Sequence, residues 1–158
     1  LIDYLLPGKR LYMFGTGTGL APFMSIIRDP DTYEKFDEVV LVHGCRLVSE
    51  LAYRDYITRE LREHEFLGEM VASQLKYYPT VTCEPFPTQG RIPDLIENGH
   101  MARDLGVPPL NPQVDRVMLC GSPEMLKSIK HVLEARGFNE GNTTTPGDFV
   151  VERAFVEQ

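Results

Sequence analysis

No stretch of this chain approaches the roughly 20 consecutive apolar residues that carry a helix across a bilayer. Its opening segment, LIDYLLPGKR, holds neither a basic leader nor a small-residue cleavage site. Positive charge is also in deficit, because 16 Lys and Arg stand against 23 Asp and Glu, a formal net charge of -7. A protein that grips a nucleic acid backbone or an anionic membrane presents a positive stripe, so neither is expected as a partner and any phosphate recognition must be local. Cysteine is scarce too. Cys45, Cys83 and Cys120 lie far apart without a CxxC pair, which argues against a disulfide framework or a zinc site and suits reduced thiols in a cytoplasmic protein. The histidines at 43, 64, 100 and 131 form no HxxxH or HxxE arrangement, so no metal is expected. His43 reads as strand packing.

What the chain does have is a composition fit for one core: 158 residues, 42% hydrophobic and 25% charged. One domain over 1–158 and a monomer are the expectation. The first residue is Leu, and LIDYLLPGKRLYMF begins as though continuing from something upstream, so a fragment of a longer protein is expected.

Apolar runs at 10–14 (RLYMF), 38–43 (EVVLVH), 69–75 (EMVASQL) and 116–120 (RVMLC) are candidates for buried strands. Between them lie helical patterns. Over 49–66, Tyr53, Tyr56, Ile57 and Leu61 keep helical spacing on one face, with Glu50/Arg54 and Asp55/Arg59 paired opposite. A second helix opens at Ser122, a good N-cap, with Pro123 at the first helical position, turns Met125, Leu126, Ile129, Val132 and Leu133 inward, and stops at Gly137. The proline-rich stretch 76–113 leaves room for a strand near 80–84 and a short helix or two around 93–105, and the tail DFVVERAFVEQ reads as a last strand. Strands alternating with helices imply a doubly wound α/β fold, mainly parallel and five-stranded, with helices on both faces.

The stretch GTGTGLAP places glycines at 15, 17 and 19 between the first strand and a helix. Without Cβ atoms the chain can reverse quickly and a ligand can approach the main chain. Main-chain N–H groups exposed there suit a diphosphate, and Thr16 and Thr18 add hydroxyl donors. The spacing is GxGxG rather than the dinucleotide GxGxxG, and no Walker lysine follows, so a merely tight turn stays open at this level. The next strand ends VLVHGCR. An acidic residue at such an end would suit a ribose hydroxyl, whereas Arg46 suits a 2'-phosphate and favours NADP over NAD. Arg91, in PTQGRIPD, could bring a second guanidinium, and each arginine could equally be a surface residue. VMLCGSPEML repeats strand, glycine, cap and helix on the same sheet edge, with Cys120 at its mouth. No basic partner is visible to make that thiol a nucleophile.

Together GTGTGLAPF, LVHGCRLVSELAYRD, YYPTVT, GRI, CGSPEML and the terminal AFVEQ resemble the NADP-binding half of bacterial ferredoxin/flavodoxin-NADP reductases, over nearly the whole chain. The resemblance implies an FAD-dependent oxidoreductase that moves hydride between NADPH and flavin and passes electrons to ferredoxin or flavodoxin. Its N-terminal FAD-binding β-barrel is absent from this chain, which alone would bind NADP(H) without turning over. By position, Gly15, Thr16, Gly17, Thr18 and Gly19 would hold the diphosphate, and Cys45, Arg46, Thr82 and Arg91 the 2'-phosphate end. Gly121, Ser122, Pro123 and Lys127 would line the remaining path, and Cys120 would position the nicotinamide. Thr18, Ala154 and Phe155 would meet the FAD.

One residue departs from that pattern. The family commonly has arginine where VTCEPF has Cys83, which implies a weaker preference for NADPH. Two other functions remain open: the nucleotide domain of an oxygenase reductase, which shares both glycine turns, and a non-catalytic nucleotide-sensing module.

Overall fold

The computed structural model describes residues 2–17, 20–51, 53–142 and 144–152. Its framework is a parallel sheet of β1 (Arg10–Thr16), β2 (Glu38–Cys45), β3 (Leu75–Val81), β4 (Asp115–Cys120) and β5 (Phe149–Val151), in the order β3-β2-β1-β4-β5. Every strand pair is parallel. The order reverses between β1 and β4, the place where an open α/β sheet leaves a crevice at the carboxyl ends of its strands.

The strands read as continuous apolar runs because both sheet faces are covered. Leu11 and Met13 of β1, Val39 and Leu41 of β2, and Met118 and Cys120 of β4 point to one face. There they pack on α1 (Ala21–Ile27), α2 (Pro30–Lys35) and α3 (Gly68–Gln74). The alternate residues Tyr12, Phe14, Val40, Val42, Val117 and Leu119 meet α4 (Ile92–Glu97), α5 (His100–Leu105) and α6 (Pro123–Ala135) on the other face. The expected doubly wound fold with helices on both faces is what forms.

α6 follows its sequence signals closely. Ser122 accepts a hydrogen bond from Met125 N–H, Pro123 takes the first turn, and Gly137 at φ +91° lies just beyond the end. Leu126, Ile129, Val132 and Leu133 are buried, as their spacing requires.

Two expectations are corrected. Residues 69–75 are not a strand: GEMVASQ is α3, and the strand begins at Leu75 and runs through Pro79. Proline counts against a strand only where its missing N–H would be needed in a ladder, and β3 is one of the two edge strands. Gln74 holds α3 against the end of α2 by donating to the carbonyls of Tyr33 (2.9 Å) and Phe36 (3.0 Å). The amphipathic run at 49–66 is helical only in part. Tyr53 at φ +66° interrupts it, and a π-turn at Tyr56–Glu60, closed by Leu61 N–H to Tyr56 O, tightens into a 3-10 turn at Leu61–Glu63. Ile57 and Leu61 remain buried throughout, so burial keeps the apolar face while the backbone departs from the regular helix.

At the amino ends of the strands the charges are internally matched. Arg10 pairs with Glu38 (3.3 Å) and Asp115 (3.6 Å), and Arg116 with Asp148 (3.4 Å).

Candidate dinucleotide site

At the carboxyl ends of the strands lies a cleft of about 530 Å³, within the range usual for small-molecule sites. Thr16 and Gly17 after β1, Gly44, Cys45 and Arg46 at the end of β2, and Thr82 after β3 contribute to its wall. Gly90, Arg91 and Ile92 enter from the loop before α4, and Gly121, Ser122, Pro123 and Met125 from the β4–α6 turn. The cleft thus crosses four neighbouring strand ends, on the order of 14 Å at the usual spacing between strands.

The β1 turn is built from the strand outwards. Gly15 is buried inside β1, opposite His43 and Cys120. Gly17 adopts φ +56° and is held from both sides: its N–H donates to Gly44 O (3.0 Å), and its carbonyl lies 2.9 Å from His43 Nε2. A carbonyl only accepts, so His43 carries its proton on Nε2. Burial holds the histidine below its ordinary pKa, partly offset by this bond to Gly17. His43 therefore does more than pack, since it fixes the turn.

The β4 turn meets the β1 turn at close range. Gly121 adopts φ +152°, and Ser122 N–H reaches Thr16 Oγ1 at 3.4 Å. Cys120 is buried and faces the α1 side of the sheet. Burial first, and the Glu152 charge second, push its thiol up to about 11. It is therefore protonated near neutrality, which fits a packing role.

The other end of the cleft carries the guanidinium groups. Arg46 and Arg91 enter from different loops, and among the described residues neither forms an ion pair. Their loops are joined through a small apolar cluster of Cys45, Leu51 and Val81, against which Val48 and Phe86 pack. Arg54 stacks on Phe86 at 5.1 Å. Cys45 is buried there, and its thiol is raised to about 11 by burial and by Glu50. Cys83 is exposed, and hydrogen bonds from Thr82 and then Arg46 hold its thiol below the ordinary value.

Of the residues expected from sequence, Thr16, Gly17, Cys45, Arg46, Thr82, Arg91, Gly121, Ser122 and Pro123 converge on this cleft. Gly15, Cys120 and Lys127 do not: Gly15 is a buried residue of β1 rather than of the turn, Cys120 points into the core on the α1 side, and Lys127 lies on α6, beside a separate depression shared with Pro93, Glu97 and His131. Thr18, Gly19, Ala154 and Phe155 lie outside the described residues. Sequence reasoning missed Gly44, Glu50, Gly90, Ile92 and Met125 in the wall. Each adjoins an expected residue or lies within one turn of one, and that proximity was the available signal. Among the described residues no helix is long and apolar enough to cross a membrane, and no three His, Cys, Asp or Glu side chains gather as metal ligands would.

Residues 13–131 match the family model described as an oxidoreductase NAD-binding domain. The chain is 55% identical over 157 residues to the ferredoxin--NADP reductase of Pseudomonas aeruginosa, covering 99% of this chain and 61% of that protein. It is 50% identical over 156 residues to the flavodoxin/ferredoxin--NADP reductase of Rhodobacter capsulatus, covering 99% of this chain and 58% of the relative. The chain therefore spans about 60% of the length of such relatives. Among solved structures, a ferredoxin NADP+ reductase from Neisseria gonorrhoeae with bound FAD and NADP is similar, with a TM-score of 0.83 and 32% identity over 96% of this chain and 58% of that one. A matching fold, a cleft at the switch point and a family match over most of the sequence agree, and this chain belongs to the oxidoreductase NAD-binding domain family.

Proposed function

We propose that the cleft binds NADP(H), and that the whole protein of which this chain forms part is an FAD-dependent reductase exchanging electrons with ferredoxin or flavodoxin. The single observation that carries the nucleotide assignment is the placing of Arg46 and Arg91. They come from separate loops onto one cleft without a carboxylate partner among the described residues, while Arg10 and Arg116 at the opposite sheet edge are paired. In a chain of net charge -7, two unmatched guanidiniums facing one cavity need an anion, and a phosphomonoester fits their forked donors.

Each residue then has a stated task. The diphosphate lies along the β1 turn, where the Thr16 hydroxyl is a donor and Gly17, with nothing within 4 Å of where a Cβ would stand, leaves room for it. Arg46, Arg91 and Thr82 hold the 2'-phosphate, with the neutral Cys45 forming an apolar wall beside them. Gly121, Ser122 and Pro123 guide the rest of the coenzyme along the β4 turn, and Cys120 backs that turn from beneath as an uncharged thiol. The chemistry supplied there would be hydride transfer between nicotinamide and FAD, the latter held mainly outside this chain. A protein rich in acidic groups, with three free cysteines, suits a cytoplasmic setting.

Calorimetric titration with NADP+, NAD+ and 2'-phospho-AMP tests the assignment. The first and third should bind, with NAD+ weaker by about tenfold or more, as expected for losing hydrogen bonds to charged groups. Equal affinity for NADP+ and NAD+ would overturn it.

A further inference from the structure

The loop that carries Arg46 is held by carboxylates at its main chain. Glu50 Oε1 accepts from the N–H groups of Arg46 (3.1 Å) and Leu47 (2.9 Å). Val48 N–H is taken by a residue 36 positions away, Glu84 Oε1. Glu84 belongs to the opposite loop, the one that leads from Thr82 to Arg91. Two main-chain bonds run between the same loops, Thr82 N–H to Cys45 O (3.0 Å) and Cys83 N–H to Arg46 O (2.8 Å). Gln89 Nε2 in turn donates to Glu84 O (2.8 Å), so Glu84 is tied at its carboxylate to one loop and at its carbonyl to its own.

We propose that Glu84 is a positioning and specificity-determining residue, which sets Arg46 against Arg91 by bridging to Val48 N–H. The inference rests on reading the cleft as a 2'-phosphate site. Its physical content is a balance of two opposed effects. A carboxylate this near the arginines repels a phosphate directly, yet it also removes the freedom of an exposed loop whose ordering would otherwise weaken binding. If charge dominated, removing Glu84 would tighten NADP+ binding. Because the bond crosses between loops and Arg46 is itself exposed, pre-organisation dominates, and removing Glu84 loosens the grip on the 2'-phosphate.

The bond can be cut from either side. Glu84→Leu removes the acceptor. Val48→Pro removes the donor at the first position of a 3-10 turn, where proline is tolerated, and Leu47 before it is already extended at φ -125° and ψ 150°. Glu84→Gln discards the charge and keeps an acceptor.

Calorimetry on this chain should show Glu84→Leu and Val48→Pro each weakening NADP+ about fivefold to tenfold, within the net range of a single hydrogen bond, and NAD+ by less than about twofold. The double variant should be no worse than either alone, as for two ends of one interaction, and Glu84→Gln should bind NADP+ at least as tightly as the parent. Tighter NADP+ binding by Glu84→Leu, or equal losses for NADP+ and NAD+, would overturn the proposal. Arg46→Ala separates the two levels. If it leaves the preference for NADP+ intact, the reading of the cleft fails. If it abolishes the preference while Glu84→Leu changes nothing, only the positioning role fails.

Discussion

A Cβ placed on Gly121 would lie 2.0 Å from Thr16 Oγ1. The ends of β1 and β4 can approach this closely only because residue 121 lacks a side chain and accepts φ +152°. The approach narrows the floor of the cleft at the point where the strand order reverses. Gly121→Ala must therefore push Thr16 away or unwind the β4 turn. The expected loss is about 2–4 kcal/mol in denaturant unfolding, the size of local overpacking plus an unfavourable backbone conformation. NADP+ affinity should fall with it. A variant as stable as the parent would show that the two turns are not held against each other.

Cys83 touches Arg46 and Thr82 from the solvent side. Cys83→Arg would add a third guanidinium to that end of the cleft, and because the thiol is exposed the exchange leaves the apolar core untouched. NADP+ should bind about tenfold more tightly and NAD+ without change, in line with one added charge-assisted interaction. Unaltered discrimination between the two coenzymes would remove Cys83 from the specificity argument.

The three thiols should differ sharply in reactivity. Cys45 and Cys120 are buried and their thiols sit at about 11, whereas Cys83 is exposed and shifted downward. Thiolate fraction and access both favour Cys83. Iodoacetamide near neutral pH, followed by mass spectrometry, should label Cys83 at least about tenfold faster than the others. NADP+ should slow that reaction more than NAD+ does. Comparable labelling of Cys120 would contradict its place in the core.

His43 gives stability a pH dependence whose sign follows from its surroundings. It is fully buried, with Nε2 donating to Gly17 O, and Nδ1 has no partner among the described residues. Protonation would place an unmatched N–H and a charge in the core, so the folded pKa lies below the ordinary 6.5. The unfolded chain then takes up the proton first. The contribution of His43 is complete above 6.5 and is lost as pH falls from there through the folded value. His43→Gln keeps an amide donor for Gly17 without titrating. The drop in melting temperature between about pH 7.5 and 5.5 should be smaller in this variant than in the parent. Parallel curves would assign the acid sensitivity elsewhere.

The order of elements was legible in the sequence, because each signal is local. The apolar runs at 38–43 and 116–120 read as strands covered on both faces, and Ser122, Pro123 and Gly137 marked the limits of α6. Residues 69–75 were misread because a run of mixed apolar residues has no period strong enough to separate helix from strand, and Pro79 hid a strand whose edge position makes proline harmless. The interrupted helix at 54–63 likewise depends on what Ile57 and Leu61 pack against rather than on their spacing.

By itself the sequence determined the α/β class, the glycine turn at the first strand and the presence of arginines after the second and third strands, since chain conformation and residue chemistry are set by near neighbours. Only the tertiary structure decided that Arg46 and Arg91 face one cleft, that Lys127 faces another, that Thr16 rests against Gly121 and that Glu84 reaches Val48. Those relations join residues dozens of positions apart. The sheet order β3-β2-β1-β4-β5, which no local pattern encodes, brings them together.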